Sequence, residues 1–187
     1  MANEKAFQEG VDYVKYLYGI ESLHNEQYDA LRAFCLGKEN VFVSAGTGFG
    51  KSLIFQAVPI IFDHLMNQAI GTSTILVISP LISLMDDQVR QCDERGISAV
   101  ALHSNEELSD KIRHIEDTVY SIVYTSPEAA LSKQSLRKLF ETSAFRSQCI
   151  GLAVDEAHLI AQWYVYDNSI HTRTMRYPQS VHELIFE

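Results

Sequence analysis

A glycine-rich segment constrains this chain more than any other stretch of its sequence. It occupies residues 45–52 and reads AGTGFGKS, between an apolar run at 41–43 and a helix-like run that begins at Leu53. Three glycines allow a tight turn whose backbone N–H groups converge on a phosphate, and the dipole of the following helix favours the same anion. The segment predicts a phosphate-binding loop, although alanine stands at its first position, where the strict motif has glycine.

Side chains and backbone divide the work in this predicted loop. Lys51 would reach the β- and γ-phosphates of a nucleotide, and Ser52 would hold Mg²⁺. The remaining loop residues would surround the phosphates, and they are Gly46, Thr47, Gly48, Phe49 and Gly50. ATP and Mg²⁺ are therefore the predicted ligands. The alternative interpretation is a glycine-rich surface loop that happens to contain lysine and serine.

Length and composition favour a single globular domain inside the cell. The chain has 187 residues, of which 47% are hydrophobic, and its three cysteines lack the spacing of a disulfide framework or a zinc site. The polar N-terminus has no apolar signal segment, and no run approaches the ~18 apolar residues of a membrane span. We expect an intracellular soluble protein, which would be nuclear if its source is eukaryotic.

The charge balance limits how this chain could bind nucleic acid. Fifteen basic residues against 24 acidic ones give a formal net charge of −9. A protein that holds nucleic acid by bulk electrostatics would carry the opposite sign. Any nucleic-acid contact must therefore be local.

Strand-like and helix-like segments alternate along the chain. The apolar strand candidates are residues 41–43, 74–78, 98–102, 120–124 and 149–154. The helix candidates are residues 4–18, 25–37, 53–58, 81–95, 105–116 and 134–143, and Pro59 is expected to kink the third of them. Largely apolar strands that alternate with helices predict an α/β fold, a parallel sheet with helices on both faces.

Two adjacent acids follow the last of these apolar strands. Ligands of parallel sheets bind at the carboxyl ends of the strands, where Asp155 and Glu156 stand. A first carboxylate can hold Mg²⁺, and a second can orient the attacking water. Adjacent acids after a strand are otherwise ordinary helix N-terminal residues. The phosphate-binding loop earlier in the chain favours the catalytic interpretation.

Four segments resemble the first motor lobe of RecQ-type DNA helicases. They are the loop with its continuation at 45–56, VISPLISLMDDQV at 77–89, YTSPE at 124–128 and VDEAHLIAQW at 154–163. The likeness spans roughly residues 20–163, and SPLISLM is its most characteristic part. The resemblance implies a P-loop NTPase with a RecA-like parallel sheet. It also implies a DEAH-box, superfamily-2 ATPase stimulated by DNA, whose complete form unwinds DNA from 3′ to 5′ in repair and recombination.

The resemblance implies roles for further residues. Gln27 is similar to the glutamine that reads the adenine edge, and a solvated helix glutamine is the alternative. His158 is similar to the histidine that couples the nucleotide site to the DNA-facing motifs, beside Lys51, Asp155 and Glu156 as catalytic residues. The implied DNA contacts are Ser79, Pro80, Leu81, Thr125, Ser126, Pro127 and Trp163.

Strand-end hydroxyls and amides can bind phosphates without a basic patch. The alternative for Ser79, Ser126 and their neighbours is helix capping, because Ser or Thr before Pro commonly starts a helix.

The likeness ends after Trp163. The chain continues YVYDNS at 164–169, where the family's coupling loop has glycine, histidine, aspartate, phenylalanine and arginine. We therefore divide the chain into an N-terminal helix at 1–19, an ATP-binding lobe at 20–163 and a divergent tail at 164–187. Within that tail, only Val181, Leu184 and Ile185 hint at a short helix.

The expected function is that of the ATP-binding first motor lobe of a RecQ-like DNA helicase, truncated here. Single-stranded or partly duplex DNA is the expected partner, together with a second RecA-like lobe absent from this chain. Arginine fingers from such a lobe are worth about 10³–10⁵ in rate, so the isolated chain should lack full ATPase and helicase activity. The alternatives are a non-catalytic nucleotide- or DNA-binding fragment or regulator, and an RNA-directed helicase lobe.

Overall fold

A parallel β-sheet forms the centre of the molecule. The computed structural model describes residues 2–103, 111–112, 115, 120–132, 134–157 and 182–186. In chain order, the strands are β1 (Val41–Val43), β2 (Thr74–Ile78), β3 (Ala99–Leu102), β4 (Ile122–Thr125), β5 (Cys149–Val154) and β6 (His182–Phe186). They form a sheet in the order β1-β6-β5-β2-β4-β3, with every neighbouring pair parallel. The predicted α/β fold is confirmed.

Helices connect and cover these strands. They are α1 (Ala2–Tyr18), α2 (Asn25–Arg32), α3 (Lys51–Leu65), α4 (Ile82–Glu94), α5 (Pro127–Ser132), α6 (Gln134–Glu141) and α7 (Ser143–Gln148), with a π-helical turn at Ala33–Gly37 after α2. The helix predicted at 134–143 is two helices, because Thr142 accepts a hydrogen bond from the Phe145 N–H and so caps α7. The helix predicted at 105–116 lies largely outside the described residues.

Alternating side chains of the strands supply two hydrophobic cores. Ile75 and Val77 of β2 pack with α1, α3 and α4 on one face of the sheet. Leu76 and Ile78 pack with α5, α6 and α7 on the other. Successive strand residues point to opposite faces, so a strand with helices on both sides must be apolar throughout. All five residues of β2 are indeed buried.

Helix α3 carries the glycine-rich loop at its start and is largely buried. It continues through Pro59 to Leu65, beyond the predicted run. Helix α1 packs closely against it at Gly10, where an added Cβ would lie 2.9 Å from the Ile61 Cα. This contact requires glycine and fixes α1 beside the helix that follows the loop. None of the helices in the described ranges has the length and apolar character needed to cross a bilayer.

Residues 182–186 form a strand, so the hint of a short helix there was wrong. Strand β6 lies between β1 and β5, with Leu184 paired to Val41 on one side and to Ala153 on the other. Leu184 and Phe186 are fully buried, and the Phe186 ring meets that of Phe55 edge to face at 5.4 Å. Two parallel neighbours satisfy the backbone of this segment, which is a non-local effect that helical spacing could not reveal.

Candidate nucleotide-binding site

The glycine-rich loop connects β1 directly to the N-terminus of α3. Gly48 and Gly50 have φ angles of 84° and 82°, in the left-handed region that favours glycine. Gly50 is the N-cap of α3, and the Phe49 N–H donates to the Gly46 carbonyl at 3.3 Å. The unsatisfied N–H groups of a helix start are thus directed to the loop, which is the arrangement that binds phosphate groups.

One cavity of about 410 Å³ lies between this loop and the two predicted acids. Its lining includes residues 46–52 as well as Asp155 and Glu156. Chain topology explains the meeting, because β5 ends at Val154 beside the carboxyl end of β2. The structure thus brings the predicted phosphate and metal residues together, although they are far apart in sequence.

Lys51 and Ser52 already have partners in this cavity. The Lys51 ammonium group donates to the Ala45 carbonyl at 2.7 Å. The Ser52 hydroxyl oxygen accepts a hydrogen bond from the Gln88 amide at 3.0 Å. Both side chains belong to the first turn of α3 and line the cavity.

Asp155 carries a buried carboxyl group whose pKa is raised. Its backbone N–H donates to the Ile78 carbonyl at 2.8 Å, and the residue is only 4% exposed. Burial, with a smaller contribution from the charge of Glu156, raises the pKa of Asp155 to about 6. The Glu156 N–H, 3.1 Å from the carboxylate, and the charge of Lys51 oppose that rise. A bound cation would stabilise the ionised form further.

Gln27 fastens the loop to the start of α2. Its amide nitrogen donates to the carbonyls of Phe49 and Gly50 at 3.0 and 3.3 Å, and its amide oxygen accepts from the His24 N–H at 2.9 Å. The His24 ring stacks on the Phe49 ring, with centroids 5.3 Å apart. Both ends of the Gln27 amide are engaged with backbone, so its adenine-reading role stays a prediction.

The predicted DNA contacts cluster at the carboxyl ends of β2 and β4. The Ser79 N–H donates to the Thr125 carbonyl at 3.0 Å, which ties the two strand ends together. Thr125 donates its hydroxyl to the Leu102 carbonyl at 3.3 Å, and the Ser126 hydroxyl accepts from the Ala129 N–H at 3.2 Å. These two hydroxyls are buried and occupied.

The capping alternative therefore describes Ser126, with Pro127 as the first residue of α5. At the end of β2, Pro80 is partly exposed and Leu81 is 46% exposed. The Ser79 hydroxyl is buried and lacks a hydrogen-bond partner within the described part of the chain. DNA contact by these residues stays a prediction, and His158 and Trp163 lie outside the described residues.

Sequence reasoning gave no role to five further residues that line the cavity, Tyr18, Leu53, Gln56, Gln88 and Gln91. Gln56 is a polar residue inside an apolar helix, which is a signal that could have identified it. Gln88 lies within the resembling segment at 77–89, three residues after its most characteristic part, SPLISLM. A direct hydrogen bond joins Gln56 to Gln88, so these residues form part of the site.

Comparison with known proteins decides the family. The model of the DEAD/DEAH box helicase family matches residues 24–186. The chain belongs to this family. Membership implies nucleotide binding, usually with Mg²⁺, and the fold described above is that of a helicase motor lobe.

Curated relatives confirm the resemblance to RecQ-type DNA helicases. The ATP-dependent DNA helicase RecQ of Bacillus subtilis is 33% identical over 78% of this chain and 23% of its own length. RecQ of Haemophilus influenzae is 34% identical over 80% of this chain and 22% of its length. The ATP-dependent helicase wrn-1 of Caenorhabditis elegans is 33% identical over 83% of this chain and 14% of its length. The chain thus spans less than a quarter of the length of these relatives.

Solved structures with the same fold include the DUF1998 helicase MrfA. Its complex with DNA and AMPPNP superimposes with a TM-score of 0.68 over 96% of this chain and 26% of that chain, at 16% identity. A second MrfA structure gives a TM-score of 0.64 at the same identity. At this level of identity the likeness concerns the fold.

Proposed function

We propose that this DEAD/DEAH box helicase lobe binds ATP with Mg²⁺ as the first motor lobe of a RecQ-like DNA helicase. The observation that carries the proposal is the shared cavity, which both the glycine-rich loop and the acids after β5 line. Phosphate-binding loops of motor ATPases combine these two elements.

The loop suits a triphosphate in both space and charge. A Cβ built on Gly46 or Gly48 meets nothing within 4 Å among the described residues, so this part of the structure leaves open space for an anion beside the backbone. The N-terminus of α3 contributes its dipole, and Lys51 would exchange the Ala45 carbonyl for a phosphate oxygen. Backbone and lysine together would bind and orient the β- and γ-phosphates.

The oxygen donors beside the loop suit Mg²⁺. Ser52 offers a hydroxyl and Asp155 a buried carboxylate, and hard cations prefer such ligands. When bound, the ion would neutralise charge on the phosphate oxygens. Glu156 lies next to Asp155 on the same side of the cavity and would orient the attacking water.

The complete protein would pair this lobe with a second RecA-like lobe and act on single-stranded or partly duplex DNA. The relatives named DNA helicases are more than four times as long as the shared region, which leaves room for a second lobe. Arginine fingers from that lobe would stabilise the transition state, and His158 would couple the nucleotide site to DNA. The carboxyl ends of β2 and β4 would contact the DNA strand through Pro80, Leu81 and backbone amides.

A nucleotide titration tests the proposal. We expect a fluorescent ATP analogue to bind the wild-type protein in Mg²⁺, and Lys51→Ala to weaken binding at least about 100-fold through loss of a charge-assisted phosphate contact. Lys138→Ala is the matched control, because it removes the same charge from an exposed position on α6. Equal affinities of Lys51→Ala and Lys138→Ala would contradict the proposal.

An ATPase assay tests the need for a second lobe. We expect slow turnover by the isolated chain, with little stimulation by single-stranded DNA, because arginine fingers contribute about 10³–10⁵ in rate. Robust DNA-stimulated turnover by the monomer would show that this lobe works without a partner lobe.

A further inference from the structure

A chain of hydrogen bonds runs along the cavity lining from the Ser52 hydroxyl to Tyr18, through two buried glutamines. The Gln88 amide nitrogen donates to Ser52, and the Gln88 amide oxygen accepts from the Gln56 amide nitrogen. The Gln56 amide oxygen accepts in turn from the Tyr18 hydroxyl. Helix α1 contributes Tyr18, helix α4 contributes Gln88, and helix α3 contributes both Gln56 and the predicted metal ligand Ser52.

The two glutamine amides of this path lie among apolar side chains, where an unpaired amide would destabilise the fold. Its two glutamines are buried, and the α3 residues around Gln56, such as Phe55, Ala57 and Val58, are apolar core. A buried amide without partners costs about 1–3 kcal/mol, whereas a side chain such as methionine would pack there without that risk. The path is therefore stable only because each amide is satisfied at both ends.

The path has a defined direction. Gln56 uses its amide nitrogen on Gln88 and also on the Tyr124 hydroxyl, at 3.2 Å, so its amide oxygen must face Tyr18. That orientation directs the Gln88 amide oxygen toward Gln56 and the Gln88 amide nitrogen toward Ser52. Burial raises the pKa of both tyrosines, so their hydroxyl groups keep their protons.

The hydrogen bond from Gln88 restricts the orientation of the Ser52 hydroxyl. A hydroxyl oxygen has two lone pairs and one hydrogen, and Gln88 occupies one lone pair as a donor. The bond from Gln88 excludes the rotamer that points the hydroxyl hydrogen at Gln88, so the hydrogen and the remaining lone pair are confined to the two other positions around the oxygen. A metal ligand must present a lone pair, and groups that orient ligands typically contribute 10–100-fold in metal affinity.

We infer that Gln88 is a positioning residue for the metal-holding hydroxyl of Ser52, and that Gln56 and Tyr18 set the orientation of Gln88. The inference rests on the proposed function, since it assigns these residues to the Mg²⁺ side of the same nucleotide site. Gln88 itself does not touch the phosphates or the reacting atoms in this role.

A Mg²⁺ titration at saturating fluorescent ATP analogue tests the inference with Gln88→Met, which keeps the length and packing of the side chain. We expect the Mg²⁺ midpoint to rise about tenfold, while the affinity for the analogue in EDTA stays within about twofold of wild type. Gln134→Ala, at an exposed position on α6, is the control and should match wild type in both measurements.

Tyr18→Phe gives a second, gentler variant, because it removes one hydroxyl at the far end of the path. It should raise the Mg²⁺ midpoint about two- to threefold, with the thermal unfolding midpoint recorded for each variant. A Gln88→Met protein with an unchanged Mg²⁺ midpoint would overturn the inference. Equal loss of affinity with and without Mg²⁺ would also overturn it, because that result indicates a purely structural role.

Failure of the proposed function looks different from these outcomes. If the wild-type protein binds the analogue neither in Mg²⁺ nor in EDTA, that result would contradict both the proposed nucleotide site and the positioning role. If Lys51→Ala abolishes binding and Gln88→Met leaves it unchanged, only the positioning role would be contradicted.

Discussion

The loop side of the sheet's carboxyl edge differs from the β2–β4 side in where its polar groups point. On the loop side, Lys51, Ser52 and Asp155 line a cavity. At the ends of β2 and β4, the hydroxyls of Thr125 and Ser126 are buried in internal hydrogen bonds. Side chains are thus available to a ligand at the first region, whereas the second offers exposed apolar groups such as Leu81.

Under the proposed function, this difference would allow one sheet edge to serve two kinds of ligand. A triphosphate with a cation needs charged and oxygen-bearing side chains at fixed positions. A nucleic-acid strand can be held by backbone amides and apolar contacts, which suits a chain with a net charge of −9. Hydroxyls at the ends of β2 and β4 would then stabilise the turns that present the backbone.

Asp155→Asn gives the largest expected effect on stability. The ordinary pKa of 3.8 rises to about 6 in the folded protein, so the ionised carboxylate destabilises the fold at higher pH. At about pH 8, the variant should unfold at higher temperature than wild type, with a gain of up to about 3 kcal/mol. The variant should at the same time lose Mg²⁺-dependent nucleotide binding.

The pH dependence provides the check for Asp155→Asn. A folded-state pKa above the unfolded one means that the wild type binds a proton on folding, so its stability falls as pH rises from about 4 to about 6. The advantage of Asp155→Asn should therefore disappear below about pH 4, as measured by thermal unfolding. An advantage that persists unchanged at that pH would contradict the assignment of the cost to the carboxylate charge.

Gly50→Ala tests the geometry of the loop. An alanine at φ 82° is strained, and its Cβ would lie 2.8 Å from the Gln27 amide nitrogen. We expect a loss of about 2 kcal/mol in the free energy of unfolding, measured by urea denaturation, together with weaker nucleotide binding.

Two other loop glycines separate the causes of that loss. Gly48→Ala adds strain at φ 84°, and no atom of the described ranges lies within 4 Å of the new Cβ, so we expect a smaller loss of about 1 kcal/mol. Gly46→Ala adds no backbone strain and no contact with the part of the chain that the structure describes, so it should unfold like wild type. Equal losses for Gly48→Ala and Gly50→Ala would show that the Gln27 contact contributes nothing.

Ser126→Ala tests the capping role at the end of β4. Removal of the hydroxyl that accepts from the Ala129 N–H should cost about 1 kcal/mol of stability. Binding of a labelled single-stranded DNA, measured by fluorescence anisotropy, should stay within about twofold, because the hydroxyl is buried and occupied. A large loss of DNA affinity at unchanged stability would favour direct contact by the hydroxyl instead.

Ser79→Ala should have the smallest effect on stability. Its buried hydroxyl has no hydrogen-bond partner in the described ranges, so its removal should change the free energy of unfolding by less than about 0.5 kcal/mol or stabilise the fold slightly. Urea denaturation of Ser79→Ala beside Ser126→Ala measures the contrast. A loss as large as that of Ser126→Ala would show that the Ser79 hydroxyl is satisfied in solution.

Local patterns predicted most of the sheet. The strands at 41–43, 74–78 and 149–154 begin and end at the predicted residues, and those near 98–102 and 120–124 shift by one or two. Their near-continuous apolar runs are typical of strands covered on both faces. Strand β6 escaped prediction because its five residues carry too little periodicity, and pairing with β1 and β5 determines their conformation.

The sequence predicted the residue types of the candidate site but not the hydrogen bonds between its residues. Glycines, lysine, serine and paired acids carry a signal in the sequence because phosphate and metal binding need those residue types. The contacts of Gln27 with Phe49 and Gly50, and of Gln88 with Ser52, join residues far apart in the chain. No spacing rule reports such contacts, since folding alone brings their partners together.

The glycine-rich loop separates most clearly what the sequence determines from what the tertiary structure determines. By itself, the sequence determined that residues 45–52 turn tightly and precede a helix, because glycine tolerates positive φ and the apolar flanks define strand and helix. Only the tertiary structure decided that Asp155 faces this loop, that Gln27 fastens it and that Gln88 orients Ser52. Side-chain hydrogen bonds act over about 3 Å, so they depend on how the sheet and helices pack.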